Sequence, residues 1–125
     1  MRSRLLIVDD SKTIRGIVRR ALKSYDCDVF EALNGVDGLA VAAKLLPDLI
    51  LLDVTMPVLG GRATLTRLKI DPALAEIPVV MLTRADGADG DSLAWKEARD
   101  FLNKPLQEKR VLEICRALIS IQPRA

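Results

Sequence analysis

The chain has 125 residues, half of them hydrophobic and only 3% aromatic, which suits one domain with an aliphatic core. Its 19 basic and 17 acidic residues leave a net charge of +2, too small to indicate nucleic-acid binding by itself. The sequence contains no histidine, which excludes a histidine base, a histidine metal ligand and a phosphohistidine within this chain.

The cysteines and the apolar runs concern the cellular compartment. Cys27 and Cys115 lie far apart and do not have the spacing of metal ligands, so we interpret them as reduced thiols in the core. No apolar run approaches the length of a membrane-spanning helix, and residues 5–8 are too short a run for a signal peptide. We therefore expect a soluble, cytoplasmic protein that does not bind membranes.

The apolar pattern predicts five strands that alternate with helices. The strands are predicted at residues 5–8, 29–32, 49–52, 79–82 and 101–103. Residues 49–52 are apolar without alternation, which is typical of a parallel strand covered on both faces. Alternating strands and helices predict an α/β fold, a parallel sheet with helices on both faces, connected by right-handed crossovers.

Capping and breaking residues place the helices. The first follows Ser11, the second follows Asn34-Gly35 and stops before Pro47, the third ends at Asp71-Pro72, a short fourth covers residues 92–98, and the last covers about 106–120. The predicted inner faces are Ile14, Ile17, Val18, Ala21 and Leu22 in the first helix, Val36, Leu39, Ala40 and Ala43 in the second, and Val111, Ile114, Cys115 and Leu118 in the last. The first helix also carries basic residues, among them Arg15 and Arg19, which we assign to a solvated face.

Polar residues stand where four of the predicted strands end: Asp9 and Asp10, Asp53, Thr83, and Lys104. Because the carboxyl ends of parallel strands share one edge of a sheet, three carboxylates, a hydroxyl and an ammonium group converge there. Carboxylates packed together repel, and a divalent cation removes the conflict; oxygen ligands favour Mg²⁺. The metal, Lys104 and Thr83 would then neutralise a phosphoryl group on one carboxylate, so the set indicates phosphoryl transfer to an aspartate.

The chain resembles the receiver domains of two-component response regulators and is similar to the single-domain chemotaxis type. The resemblance is carried by Asp9-Asp10, Asp53, Met56-Pro57, Gly61, Thr83 and the segment 101–105, Phe-Leu-Asn-Lys-Pro. It implies a flavodoxin-like, doubly wound, five-stranded parallel sheet of order 2-1-3-4-5 with five helices. Residues 1–121 would form the receiver domain and residues 122–125 a C-terminal tail.

The resemblance also implies the chemistry of the acidic residues. Asp53 would accept a phosphoryl group from the phosphohistidine of a partner, either a sensor histidine kinase or a histidine phosphotransfer protein. Asp10 and Asp53 would bind Mg²⁺ directly, Asp9 through water, and the backbone carbonyl of Thr55 would complete the protein ligands. Such a domain catalyses only its own phosphorylation and dephosphorylation, so we do not expect an enzyme with a separate substrate.

The remaining family positions concern the readout of phosphorylation. Lys104 matches the lysine that contacts the phosphoryl group, with a cis bond to Pro105, and Thr83 and Phe101 match the switch pair. The output partner is unknown and would bind the face of the fourth helix, fifth strand and fifth helix, without direct nucleic-acid binding. Gly87 and Gly90 discourage helix at the start of the fourth helix, so it can be truncated. Trp95, in that helix, is expected to report the switch through its fluorescence.

Two alternative functions have different requirements. A haloacid-dehalogenase-like phosphohydrolase also uses a strand-end Asp, Mg²⁺, a Thr and a Lys, but it needs a second acid two residues after the nucleophile. This chain has Thr55 there. A phosphorylation-independent interaction module typically lacks an acid of the pocket or the lysine, and this chain has all of them.

Overall fold

The computed structural model describes residues 2–84 and 96–124. In these residues the order of elements is β1 (Ser3–Val8), α1 (Lys12–Leu22), β2 (Cys27–Ala32), α2 (Gly35–Leu45), β3 (Leu49–Asp53), α3 (Gly61–Ile70), β4 (Val79–Arg84), β5 (Asp100–Lys104) and α4 (Glu108–Leu118). Most of the predicted fourth helix, with Trp95, Gly87 and Gly90, lies outside the described residues. The helix α4 is therefore the one that the sequence predicts as the fifth.

The five strands form one parallel sheet in the order β2-β1-β3-β4-β5. This confirms the predicted flavodoxin-like order. The central strand β3 is buried along its whole length, between β1 and β4, as its unbroken apolar run predicts. The carboxyl ends of β1, β3, β4 and β5 consequently lie side by side at one edge of the sheet.

The helices cover both faces of the sheet. Side chains that alternate along each strand divide into two apolar clusters, one under α1 and α4 and one under α2 and α3. In β3, Leu49 and Leu51 face α1 and α4, whereas Ile50 and Leu52 face α2 and α3. The same alternation decides the face on which each polar strand-end residue lies.

The helix α1 forms much as the sequence predicts. Ser11 caps it by accepting a hydrogen bond from the Ile14 backbone N–H at 3.3 Å, and Ile14, Val18, Ala21 and Leu22 are buried. The last helix is two residues shorter at each end than predicted, running from Glu108 to Leu118. Strands β1 and β2 each begin two residues earlier than predicted.

Of the four residues predicted on the inner face of α2, only Leu39 packs against the core. The buried residues of α2 are Gly35, Gly38 and Ala42, whereas Val36 is 47% exposed and Ala40 and Ala43 are exposed too. The reason is a close approach to β1: a Cβ on Gly38 would lie 3.0 Å from both methyl carbons of Val8. A helix that packs this tightly needs small residues inward, so the larger Val36 is left outside.

The C-terminal segment is hydrogen-bonded to the rest of the fold. The segment predicted as a tail pairs with the loop between α1 and β2: the Asp26 N–H donates to the Gln122 carbonyl and the Arg124 N–H to the Ser24 carbonyl, both at 2.7 Å.

Among the described helices, none is long and apolar enough to cross a membrane.

Both cysteines are free thiols inside the core, as predicted. Burial raises the pKa of Cys27 to about 11 and that of Cys115 to about 12. Since the thiolate is the reactive form, both cysteines act as small apolar core residues.

Candidate phosphoryl-acceptor site

Asp53 ends the central strand and is held there through its backbone. The residue is only 3% exposed. The N-terminus of α3 packs directly on the strand end, since a Cβ on Gly61 would lie 2.2 Å from the Asp53 carbonyl oxygen. The Gly61 N–H also donates to the Val54 carbonyl at 2.9 Å. Only glycine permits this approach, so α3 fixes the position of Asp53.

Asp9 follows β1 and is fully buried. Its backbone N–H donates to the Ala32 carbonyl at 3.0 Å, which extends the pairing of β1 with β2. Its Oδ1 accepts a hydrogen bond from the Ser11 N–H at 2.8 Å. Its Oδ2 has no hydrogen-bond partner among the described residues, an unusual state for a buried carboxylate oxygen. Asp10, the next residue, is exposed.

The three acids form a group that fits a divalent cation. One carboxylate oxygen from each of Asp9, Asp10 and Asp53 lies within 4.8 Å of the others. The oxygen-only donors, including an Asp9 Oδ2 without a hydrogen bond among the described residues, suit Mg²⁺, which prefers oxygen ligands and retains several waters. The Thr55 N–H contacts Asp53 Oδ1 at 3.4 Å, so the Thr55 backbone lies beside this group.

Lys104, at the end of β5, completes an acidic pocket that we define as Asp9, Asp10, Asp53 and Lys104. Its Nζ donates to Asp53 Oδ1 at 2.8 Å. The same Nζ lies 3.2 Å from Asp9 Oδ2, within ion-pair distance. The bond between Lys104 and Pro105 is cis, which confirms the prediction. One ammonium group thus serves two buried carboxylates.

The charges of the pocket are not balanced. Burial raises the pKa of Asp53; the hydrogen bond from Lys104 opposes this rise, and the negative charge of Asp9 adds to it. For Lys104, burial lowers the pKa, but hydrogen bonding to Asp53 and the charges of both carboxylates raise it more, so the net pKa is raised. Lys104 therefore stays cationic at neutral pH, while the pocket still favours additional positive charge.

Thr83 and Phe101 lie on the other face of the sheet. By strand alternation they share the side of Met81, which packs toward α2 and α3, whereas Asp53 and Lys104 share the side of α1 and α4. Among the described residues, the Thr83 hydroxyl donates to Asn103 Oδ1 at 3.1 Å. Phe101 is 37% exposed. We call Thr83, Phe101 and Asn103 the switch strip.

Asn103 was not predicted as a site residue. It stands opposite Thr83 in the pairing of β4 with β5, which is why the two side chains meet. A signal existed in the sequence: a polar residue directly before Lys104, in a strand predicted beside the one that ends at Thr83. Using that signal required the register of the two strands, which periodicity alone does not give.

Arg15 was assigned to a solvated face, and this is wrong. Its side chain is 15% exposed and lies between Glu31 of β2, with Nε 2.6 Å from Oε1, and the Asp9 carbonyl, with Nη1 at 3.0 Å. Glu31 also pairs with Arg19. The available signal was an acid inside a strand beside a basic helix, since a half-buried carboxylate needs a cationic partner.

Comparisons with known proteins agree with this geometry. A family model described as the response regulator receiver domain matches residues 5–116. The response regulator PleD of Caulobacter vibrioides is 39% identical over 120 residues, 94% of this chain but 26% of PleD, so the chain spans about a quarter of that relative. The chemotaxis protein CheY of Listeria monocytogenes is 33% identical over 88% of this chain and 92% of its own length.

A solved structure shows the same fold. The Mn²⁺-bound form of the response regulator Rcp1 superimposes with a TM-score of 0.80 at 28% identity, covering 98% of this chain and 99% of Rcp1.

Proposed function

The chain belongs to the response regulator receiver family of two-component signalling, and we propose that it is a phosphoacceptor switch whose Asp53 takes a phosphoryl group from a phosphohistidine. The observation that carries the proposal is the contact of Lys104 Nζ with Asp53 Oδ1, at 2.8 Å, inside a group of three acids. Because these 125 residues contain no histidine, the phosphohistidine must lie outside them, and we propose a sensor histidine kinase or a histidine phosphotransfer protein as the donor.

Mg²⁺ is the proposed cofactor, since the donor set of the acidic pocket fits it. Asp10 and Asp53 would bind the ion directly, Asp9 through water, and the Thr55 carbonyl would add a fourth protein contact. When bound, the ion supplies positive charge that neutralises the carboxylates and the oxygens of the transferring phosphoryl group. The raised pKa of Asp53 supports this role, because burial and then the negative charge of Asp9 disfavour the ionised carboxylate, and a bound cation would compensate both.

In the transfer step, one oxygen of Asp53 attacks the phosphorus atom. Both hydrogen bonds that Asp53 accepts from described residues, from Lys104 and from the Thr55 N–H, fall on Oδ1, which leaves Oδ2 for the attack. A P–O bond forms, the P–N bond of the phosphohistidine breaks, and its electron pair returns to the ring nitrogen. The Lys104 ammonium group then stabilises the phosphoryl oxygens.

The readout would begin at the switch strip. After transfer, the Thr83 hydroxyl leaves Asn103 and donates to the phosphoryl group, and Phe101 moves into the space that Thr83 vacates. The output protein would bind the face that includes β5, α4 and the predicted fourth helix, without direct binding of nucleic acid by this domain. The reaction would be confined to the domain's own aspartate, so the protein would not be an enzyme with a separate substrate. The cytoplasm is its proposed location.

Incubation with acetyl phosphate and Mg²⁺, followed by intact mass measurement, tests the proposal. We expect the parent protein to gain one phosphoryl group that is labile to base, with no gain when EDTA replaces Mg²⁺. Asp53→Asn should remain unlabelled. Lys104→Ala keeps the acceptor and should still be labelled, but without the structural response. Equal labelling of Asp53→Asn and the parent would exclude Asp53 as the acceptor.

A further inference from the structure

Arg15 connects three parts of the fold next to the acidic pocket. It belongs to α1, its Nε contacts Glu31 Oε1 of β2 at 2.6 Å, and its Nη1 donates to the Asp9 carbonyl at 3.0 Å. At 15% exposure its guanidinium group is held in a planar fork between two acceptors. A surface arginine that only solubilised the helix would not need either contact.

The contact matters because it completes the support of Asp9. The Asp9 N–H is bound to the Ala32 carbonyl, and Oδ1 to the Ser11 N–H, so the Arg15 contact leaves Oδ2 as the one Asp9 polar group without a hydrogen bond among the described residues. That oxygen lies 3.2 Å from Lys104 Nζ, which also binds Asp53 Oδ1, so it is on the side of the acidic pocket. The supports therefore fix the turn from which Asp9 and Asp10 would reach the metal.

We infer that Arg15, anchored by Glu31, is a positioning residue for the Mg²⁺ site, holding the turn that carries Asp9 and Asp10. The inference rests on the proposed function, because it assigns residues outside the acidic pocket to the same metal. Partners that orient metal ligands without touching the metal contribute to affinity in this way. Besides anchoring Arg15, Glu31 has a second role: its carboxylate compensates the positive charge that Arg15 places near the proposed cation site.

Charge and position predict opposite effects of removing Arg15. If Arg15 acted only as a charge, Arg15→Gln would remove a cation near Mg²⁺, leave Glu31 less compensated, and strengthen Mg²⁺ binding. If Arg15 positions Asp9, the same substitution frees the turn and weakens Mg²⁺ binding. Arg15→Lys separates the two further, because it keeps the charge but cannot hold both acceptors in one fork.

Arg19 provides a matched control. It lies on the same helix, also pairs with Glu31, and is 52% exposed, but its other hydrogen bond goes to the Val29 carbonyl and not to Asp9. Arg19→Gln therefore removes the same charge and half of the Glu31 interaction while leaving the support of Asp9 in place.

Isothermal titration of the full chain with Mg²⁺ alone measures affinity without any phosphodonor. We expect Arg15→Gln to weaken Mg²⁺ binding about tenfold, and Arg15→Lys and Glu31→Gln to weaken it several-fold. Arg19→Gln should stay within about twofold of the parent, as expected for an exposed charge. Thermal unfolding in EDTA checks that the variants fold, and labelling of Arg15→Gln by acetyl phosphate should approach the parent rate at saturating Mg²⁺.

Three outcomes are distinguishable. A parent protein that does not bind Mg²⁺ overturns the proposed function itself. A parent that binds, together with an Arg15→Gln variant that binds as tightly or more tightly, overturns only the positioning role. An Arg19→Gln variant that loses as much affinity as Arg15→Gln also overturns it, because the loss would then come from charge or helix stability.

Discussion

The acidic pocket and the switch strip lie at the same edge of the sheet but are held very differently. Asp9 and Asp53 are buried, and their backbones are fixed by hydrogen bonds or by glycine contacts with neighbouring loops. In the switch strip, Phe101 and Asn103 are exposed, and among the described residues the Thr83 hydroxyl donates a hydrogen bond to Asn103. The acidic pocket, whose chemistry needs fixed atoms, and the switch strip, whose side chains must move at a low cost in free energy, thus occupy opposite faces of the sheet.

The contrast follows from what each face packs against. The acids continue strands on the side of α1 and α4, and Gly61 brings α3 onto the Asp53 backbone from the loop that follows β3. The strip continues β4 and β5, whose paired residues Thr83 and Asn103 are only partly covered or exposed. Substitutions near the acids should therefore change stability, and those in the strip should change mainly the switching equilibrium.

The largest expected effect is at Gly61, which makes the closest backbone contact with Asp53 in the acidic pocket. Gly61→Ala places a Cβ 2.2 Å from the Asp53 carbonyl oxygen, a backbone atom that cannot rotate away. We expect a loss of about 3 kcal/mol or more in the free energy of unfolding, the upper end for overpacking, measured by urea denaturation. Gly60→Ala is the control, since its Cβ would meet only an ordinary contact of 3.7 Å and should cost well under about 1 kcal/mol. Equal stability of the two variants would refute the contact.

A second test concerns the contact of α2 with β1, one residue before Asp9. Gly38→Ala puts a Cβ 3.0 Å from both methyl carbons of Val8, so we expect a loss of about 1–2 kcal/mol. Val8→Ala removes those methyl groups and should make the added Cβ harmless. The double variant should then be more stable than the sum of the single effects predicts, as measured in a double-mutant cycle. Additive losses would mean that the two residues do not press on each other.

A third test uses the unbalanced charge of the acidic pocket. Because the pKa of Asp53 is raised, its ionised form is disfavoured in the folded protein, so Asp53→Asn should be more stable than the parent in EDTA. A gain of about 1 kcal/mol at neutral pH is the size of a typical substitution effect. As pH falls below the ordinary Asp pKa of 3.8, Asp53 is protonated in both the folded and the unfolded chain and the gain should vanish. Lower stability of Asp53→Asn at pH 7 would contradict the sign.

How much of this was predictable from the sequence differs between the two regions. The parallel sheet with helices on both faces follows from the unbroken apolar strands and their alternation with helices, whereas the strand order came from the family resemblance. The convergence of Asp9, Asp53 and Lys104 follows from parallel strands ending at one edge. The inner face of α2 did not follow, because periodicity marks large apolar residues and not the glycines that permit a close approach. The contacts of Arg15 and Asn103 depend on neighbouring strands and on register, which a single sequence does not specify.

The smallest expected effect is in the switch strip, at Asn103. Its Oδ1 accepts the Thr83 hydroxyl proton at 3.1 Å, so the hydroxyl must leave Asn103 before it can reach a phosphoryl group on Asp53. Asn103→Ala removes that competing acceptor without touching the acidic pocket. A single exposed hydrogen bond contributes little, so we expect affinity for beryllium fluoride with Mg²⁺, a mimic of the phosphoryl group, to rise only about threefold.

The Thr83→Ala background decides whether this gain comes from the hydroxyl. In the Thr83→Ala protein, Asn103 has no Thr83 hydroxyl to bind, so Asn103→Ala should no longer change the affinity for beryllium fluoride. If the gain persists in the Thr83→Ala protein, Asn103 acts through another route, such as the backbone of the neighbouring Lys104. If Asn103→Ala weakens binding of beryllium fluoride instead, the hydrogen bond between Thr83 and Asn103 favours the state that binds the mimic. The switch strip would then be held in a fixed arrangement, as the acidic pocket is.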